Sequence, residues 1–266
     1  MRRLNCKRSI PNKFDRKFKD NFFQAFDFST QSYDLQKLCA PIRDQGQEGD
    51  CVGNAIASAC EFLQLQGIRA DIPITSDPEE FIQGQFVKAS SQFPYWGARE
   101  IEGTTDSDSG CNPQDAATFI EKYGICSDKL WPNNPSLVLK RPSIEAYVEA
   151  KTHKLPMYYV MDQDSQEMLT CLAQGFPFLV GIGVYSQFDA QWSNNNGNIL
   201  MPVSTDQYEG GHCILIIGAD ANNNWKFQNS WGLTGYQGFG TLPWDYLLDS
   251  ELSFDFITLR LNPATI

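Results

Sequence analysis

Apolar positions in residues 52–66 recur at helical spacing. Val52, Ala55, Ile56, Ala59, Cys60 and Leu63 fall at i, i+3 and i+4, and Gly67 follows. This pattern predicts an amphipathic helix ending at a glycine cap, with Cys51 at its N-terminus. A second helix is predicted over 113–123, with Asn112 as N-cap, Pro113 in the first helical position and Asp115 in the first turn. Ala117, Ile120 and Tyr123 lie along one face, and Gly124 follows the end. A third helix spans 165–173, capped by Asp164 and stopped by Gly175. From about residue 177 the period changes. Short apolar runs at 178–182, 213–217, 225–227 and 238–242 are separated by turns such as 194–197 and 222–224, rich in Asn, and read as strands. A helix-rich first half followed by a strand-rich second half predicts an α+β architecture in two lobes.

Composition narrows the class. The 266 residues, 42% hydrophobic and 13% aromatic, describe an ordinary globular protein of one large or two small domains. At that length about 70% of the unfolded surface can be buried, so a core forms without staples. No apolar run reaches the roughly 18 residues of a membrane span, and the basic N-terminus is followed by no apolar stretch of the kind a secretory signal needs. The compartment stays open. A net charge of −11 speaks against nucleic acid or an anionic membrane as partner. That charge is unevenly spread: residues 1–20 carry eight basic and two acidic side chains, a net of +6, leaving −17 on the remainder. Charge alone favours a solvated tail. Eight cysteines include no C-x-x-C pair, and the only histidines are His153 and His212, so a structural zinc site has little support.

A thiol just inside a helix N-terminus feels the positive end of the helix dipole, which favours the nucleophilic thiolate. Cys51 has that position, and a polar, glycine-punctuated loop from Ala40 to Asp50 leads into it. Gln45 on that loop can return its amide toward the cysteine and donate to an oxyanion. His212 follows Gly210-Gly211 at the mouth of the apolar run 213–217. Asn229 ends the next run, within Gln228-Asn229-Ser230-Trp231-Gly232. Pairing of neighbouring strands would bring Asn229 beside His212, where its carbonyl would fix the ring's tautomer and orientation. His153, within Lys151-Thr152-His153-Lys154, reads instead as a surface helix end.

Taken together, Gln45-Gly46-x-x-Gly49-x-Cys51, Gly210-Gly211-His212 and Asn229-Ser230-Trp231-Gly232 resemble the papain family of cysteine peptidases, cathepsin-like, in its bacterial and viral branch. The likeness runs from about residue 32 to about 255, with the three motifs in the family's order. It implies a papain-like two-lobed fold with the active-site cleft between the lobes. Residues 1–31 would then be a basic extension, 32–164 a helix-rich lobe carrying the nucleophile, and 165–266 a β-rich lobe carrying His and Asn. It also implies roles: Cys51 as nucleophile, His212 as base and then acid, Asn229 as orienter of the imidazole, and Gln45 with the Cys51 N–H as oxyanion hole. Gly110, Cys111, Gly211 and Trp231 would line the substrate site, with Trp231 packed over the contact between Asn229 and His212. Such chemistry needs no cofactor and no metal; the partner is a peptide or protein substrate, and a monomer is expected.

Three departures stand out. Asp50 occupies a position where the family usually has a small residue; a carboxylate there is expected to cap the helix while its charge raises the thiol pKa. Val52 replaces a common aromatic, and Glu48 stands where plant and animal members have a disulfide cysteine. The basic arm takes a second reading as an inhibitory prosegment in which residues 1–30 fold over the acidic body, although the usual long helical prosegment pattern is missing. Competing functions are a catalytically silent papain-fold binding module and a related Cys-His-Asn acyl-transfer enzyme.

Overall fold

The computed structural model describes residues 3–19, 32–71, 77–153 and 156–261. Its first half carries β1 (Tyr33–Asp34), α1 (Cys51–Ala70), α2 (Pro78–Gln85), α3 (Gln92–Glu102), α4 (Pro113–Tyr123) and α5 (Ile144–Ala150). There follow β2 (Pro156–Met161), α6 (Ser165–Ala173), β3 (Phe178–Tyr185), α7 (Phe188–Asn194), β4 (Tyr208–Ala219), β5 (Asn224–Gln228), β6 (Phe239–Pro243) and β7 (Ser253–Leu261). The strands form one antiparallel sheet in the order β2-β7-β3-β4-β5-β6, with β1 added against β4. The architecture is the mixed α+β arrangement expected.

The predicted helices form, one with a different end. In α4 the Asn112 side chain accepts from Asp115 N at 2.8 Å, and in α6 Asp164 accepts from Glu167 N at 3.0 Å, so local capping fixes both starts. Helix α1 does not stop at Gly67 but runs through it to Ala70, where Asp71 N–H bonds Ile68 O. A mid-helix glycine costs only about 1 kcal/mol, and the last turn is held from outside by Arg69 Nη1 on Leu38 O at 2.9 Å. Nor is α1 two-faced: residues 51–59 are all buried, because the helix runs against both β4 and α3.

Helix α3 and strands β2 and β7 are additions to the elements expected from the sequence. Residues 92–99 of α3 are buried on every side, the polar Gln92 and Arg99 included. Two features then set the stage for the site. The loop before α1 is anchored by a buried ion pair, Arg43 with Glu61, whose members are 3% and 2% exposed and which together satisfy Ala89 O and Ala89 N. The N-terminal arm is docked rather than solvated: Phe18 is fully buried, and Phe18 N to Val160 O (2.9 Å) with Val160 N to Arg16 O (2.8 Å) lay the arm along β2. Residues 1–2 and 20–31 of the expected extension lie outside the described residues.

Candidate active site

Cys51 is the first residue of α1 and is fully buried. His212 lies in β4 opposite Ile182 of β3, and Asn229 directly follows β5, the other neighbour of β4. The sheet thereby brings them together: His212 Nε2 is 2.8 Å from Asn229 Oδ1. Ser230 N also donates to that oxygen at 2.8 Å. An oxygen that takes a backbone N–H is an acceptor, so Nε2 carries the proton toward Asn229 and Nδ1 is left for the thiol. The ring of Trp231 lies 4.8 Å from that of His212, tilted by 32°, with Phe188 and Trp192 edge-on behind it at 5.6 and 5.9 Å. Trp231, expected to line the substrate site, is thus 1% exposed and packed on the imidazole.

Gln45 is 2% exposed and ties the loop to the Asn229 segment. Its backbone N donates to Ser230 O at 2.9 Å, and its Oε1 accepts from Ser230 Oγ at 2.7 Å. With Oε1 so engaged, Nε2 points its donors the other way, one of them to Glu48 O at 2.9 Å.

The thiol of Cys51 is held well below the ordinary range. The neighbouring Cys6 thiol is the largest single cause. Burial opposes it, while the hydrogen bond and charge of His212 and the Cys213 backbone N–H act in the same direction. Asp50 behaves otherwise than expected. Its side chain makes no cap hydrogen bond, it is fully buried, and desolvation, reinforced by the charge of Glu48, pushes its carboxyl well above the usual range. The expected cap is therefore not made, and the charge expected to act on the thiol is disfavoured by the same burial. Glu48 instead receives Gln92 Nε2 at 2.7 Å. All eight cysteines are free.

The arm passes beside Gly211 and Cys111, next to Cys51. Cys6 N donates to Gly211 O at 2.9 Å and Lys7 N to Cys111 O at 3.1 Å, so both expected substrate-binding edges pair with arm backbone. Those edges are open because they lack side chains: a Cβ on Gly110 (φ +69°) would sit 1.8 Å from Asn5 O, and one on Gly211 2.1 Å from Cys6 O. Two ion pairs of 2.7 Å flank this stretch, Arg3 with Asp108 and Lys7 with Glu102. Asp108 also accepts from Tyr95 Oη at 2.5 Å and from Gly49 N at 3.1 Å. Reading the sequence missed Cys6, Glu102 and Asp108 as site residues; the two acids lie in a stretch, 102–110, that shares in the family resemblance, and the opposed charges of arm and body also pointed toward them. A cavity of about 320 Å³ lies elsewhere, behind α1, lined by residues that include Cys60, Glu61 and His153. His153 Nδ1 lies 2.7 Å from Ile125 O, far from this chemistry in its partners.

No family model matches the chain. An uncharacterised peptidase C1-like protein of Acanthamoeba polyphaga mimivirus is 30% identical over 239 residues, covering 84% of this chain and 72% of that protein. Xylellain, a cysteine protease from Xylella fastidiosa, superposes with a TM-score of 0.80 at 27% identity, over 97% of this chain and 96% of its own. A digestive procathepsin L 3 of Tenebrio molitor larval midgut shares the fold at a TM-score of 0.64 and 19% identity, over 93% and 76% of the two chains. By its relationship to the mimivirus protein over most of both lengths, with a bacterial cysteine protease as structural neighbour, the chain belongs to the papain family of cysteine peptidases, peptidase C1.

Proposed function

We propose that this member of the family hydrolyses peptide bonds through Cys51, His212 and Asn229, and that its N-terminal arm holds it as a zymogen. The observation that carries the reading is the buried 2.8 Å contact of His212 with Asn229, with Cys51 at the N-terminus of α1 and its thiol pushed below the ordinary range. The Cys51 thiolate attacks the peptide carbonyl carbon, and the developing oxyanion faces the Cys51 N–H and the Gln45 amide. Imidazolium His212 gives its proton to the leaving amine, producing an acyl-enzyme. Water then attacks, His212 takes its proton, and the acid leaves as the thiolate and imidazolium are restored. Asn229 holds the ring so that Nδ1 meets the thiol, and Trp231 keeps water from that hydrogen bond. Gly110, Cys111 and Gly211 would take the backbone of the substrate, and no cofactor enters the cycle.

In this reading residues 1–31 are the inhibitory extension, 32–164 the lobe of the nucleophile and 165–266 the lobe of His212 and Asn229. The arm's backbone pairing at Gly211 and Cys111 supports inhibition, since it uses the groups a substrate would need. The test is labelling with a papain-directed epoxysuccinyl inhibitor, read by intact mass, alongside hydrolysis of a quenched peptide. One inhibitor mass is expected on the full chain, absent from Cys51→Ala, with faster labelling once Arg3 and Lys7 are both changed to Glu. Labelling that persists in Cys51→Ala, or none in any form, overturns the catalytic reading. Amine incorporation without net cleavage would make the protein an acyl transferase instead.

A further inference from the structure

Peptide hydrolysis accounts for one thiol at the nucleophile, yet three meet there. The Cys6 thiol of the arm interacts with the thiols of both Cys51 and Cys213, and the three are 6%, 0% and 1% exposed. Backbone pairing sets where Cys6 sits: Cys6 N on Gly211 O and Lys7 N on Cys111 O, with the Arg3 and Lys7 ion pairs on either side. An apolar side chain would fill the same place in an arm whose only task was to block the cleft. No group of three or more His, Cys, Asp and Glu side chains among the described residues is placed to hold a metal ion.

We propose that Cys6 and Cys51 form a redox lock, in which oxidation by a peroxide joins them in a disulfide that ties the arm across the cleft and caps the nucleophile. The proposal rests on the reading of Cys51 as nucleophile and of the arm as inhibitor. The two sulfurs differ in a way that orders the steps. Cys51, at the start of α1 beside His212, is pushed well below the ordinary thiol range, whereas burial and the neighbouring thiols push Cys6 up, so Cys51 is the sulfur that reacts first. The Cys51 thiolate attacks a peroxide oxygen: an S–O bond forms, the O–O bond breaks, and the departing hydroxide takes a proton and leaves as water. Cys6 sulfur then attacks the Cys51 sulfenic sulfur; the S–S bond forms, the S–O bond breaks, and a second water carries off the Cys6 proton. Two sulfurs lose two electrons to one peroxide. A dithiol reductant reverses the bond by exchange, becoming a disulfide itself. A peroxide is small enough to enter when the arm opens locally, which the buried site demands of its oxidant. Cys213 is the poorer partner because it is fixed in β4 opposite Gly181, whereas Cys6 lies on the arm.

The test uses the full chain, reduced and then exposed to hydrogen peroxide. Remaining thiols are alkylated, and the protein is digested and mapped without reduction. Expected are a Cys6–Cys51 cross-linked peptide, a whole-chain mass lower by two hydrogens, complete loss of epoxysuccinyl labelling, and full return of labelling on adding dithiothreitol. Cys6→Ser is expected to gain oxygen at Cys51 and to lose labelling that dithiothreitol does not return, while Cys213→Ser locks and recovers like the parent. A cross-link to Cys213, no cross-link at all, or equal recovery in Cys6→Ser overturns the lock. The two underlying readings fail separately: the nucleophile if the reduced chain takes no label, and the inhibitory arm if the reduced charge-reversed arm gains no activity.

Discussion

Reversing the charges of the arm measures how tightly it is held. In the chain carrying both Arg3→Glu and Lys7→Glu, the pairs with Asp108 and Glu102 are lost and each is replaced by two facing carboxylates. The four side chains are partly exposed, at 55% and 13% for Arg3 and Asp108 and 39% and 12% for Lys7 and Glu102, so solvent screens both pairs. Each is then worth about 0.2–1 kcal/mol, and the repulsion replacing it costs a similar amount. Together the changes shift the balance between the seated and released arm by about 1–3 kcal/mol, or roughly 5- to 150-fold in the released fraction. The assay is the initial rate of hydrolysis of a quenched peptide by the reduced protein, at ~0.1 M and ~1 M salt, where the screening length falls from about 10 Å to about 3 Å. The parent chain should gain activity with salt; the charge-reversed chain should start faster and lose its advantage as salt rises. Equal rates from both chains at both salts, with equal labelling of Cys51, would refute the reasoning, because the seating of the arm would then not limit access to Cys51.

Further outcomes follow from single side chains. Asn229→Ala should lower kcat about 10- to 150-fold with little change in KM, the worth of one hydrogen bond to a charged imidazole at about 1.5–3 kcal/mol; an unchanged kcat would remove the orienting role. Asp50→Asn should leave the pH midpoint of Cys51 alkylation in place, since burial disfavours the charged form of the native carboxyl. The same substitution tests linkage. A carboxyl whose folded pKa is raised contributes stability present below its unfolded value near 4 and lost as pH rises toward the folded value. The melting temperature of Asp50→Asn should therefore climb above the parent's between about pH 4 and 8, and a gap that ignores pH would mean Asp50 ionises normally. Gly97→Ala in α3 would put a Cβ 2.0 Å from the Phe119 ring, which is wedged among Phe93, Tyr123 and Tyr147, so a loss of about 1–3 kcal/mol is expected in denaturant unfolding.

The ends of α4 and α6 were legible residue by residue because their caps are local: Asn112 and Asp164 bond backbone three residues away, and Gly124 and Gly175 follow at positive φ. Strands β3 to β6 were legible as apolar runs between turns. Helix α3 was not, because its surroundings bury residues 92–99 on all sides, and the passage of α1 through Gly67 depends on Leu38, thirty-one residues from Arg69.

For the site the division is similar. The chain by itself determined the chemistry-bearing triplet of motifs, since Cys51 at a helix start, His212 at a strand mouth and Asn229 at the next strand's end are properties of local sequence. Whether two of them touch was decided by the pairing of β4 with β5, a contact that no local rule contains. Tertiary structure alone decided the environment of Asp50, whose pKa is raised by being packed out of water, and the position of Cys6, which was one cysteine among eight until the arm's pairing at Gly211 carried it to Cys51. The physical reason is the same in each case. Periodicity and caps act over a turn or a strand, whereas desolvation and thiol proximity depend on segments brought together from opposite ends of the chain.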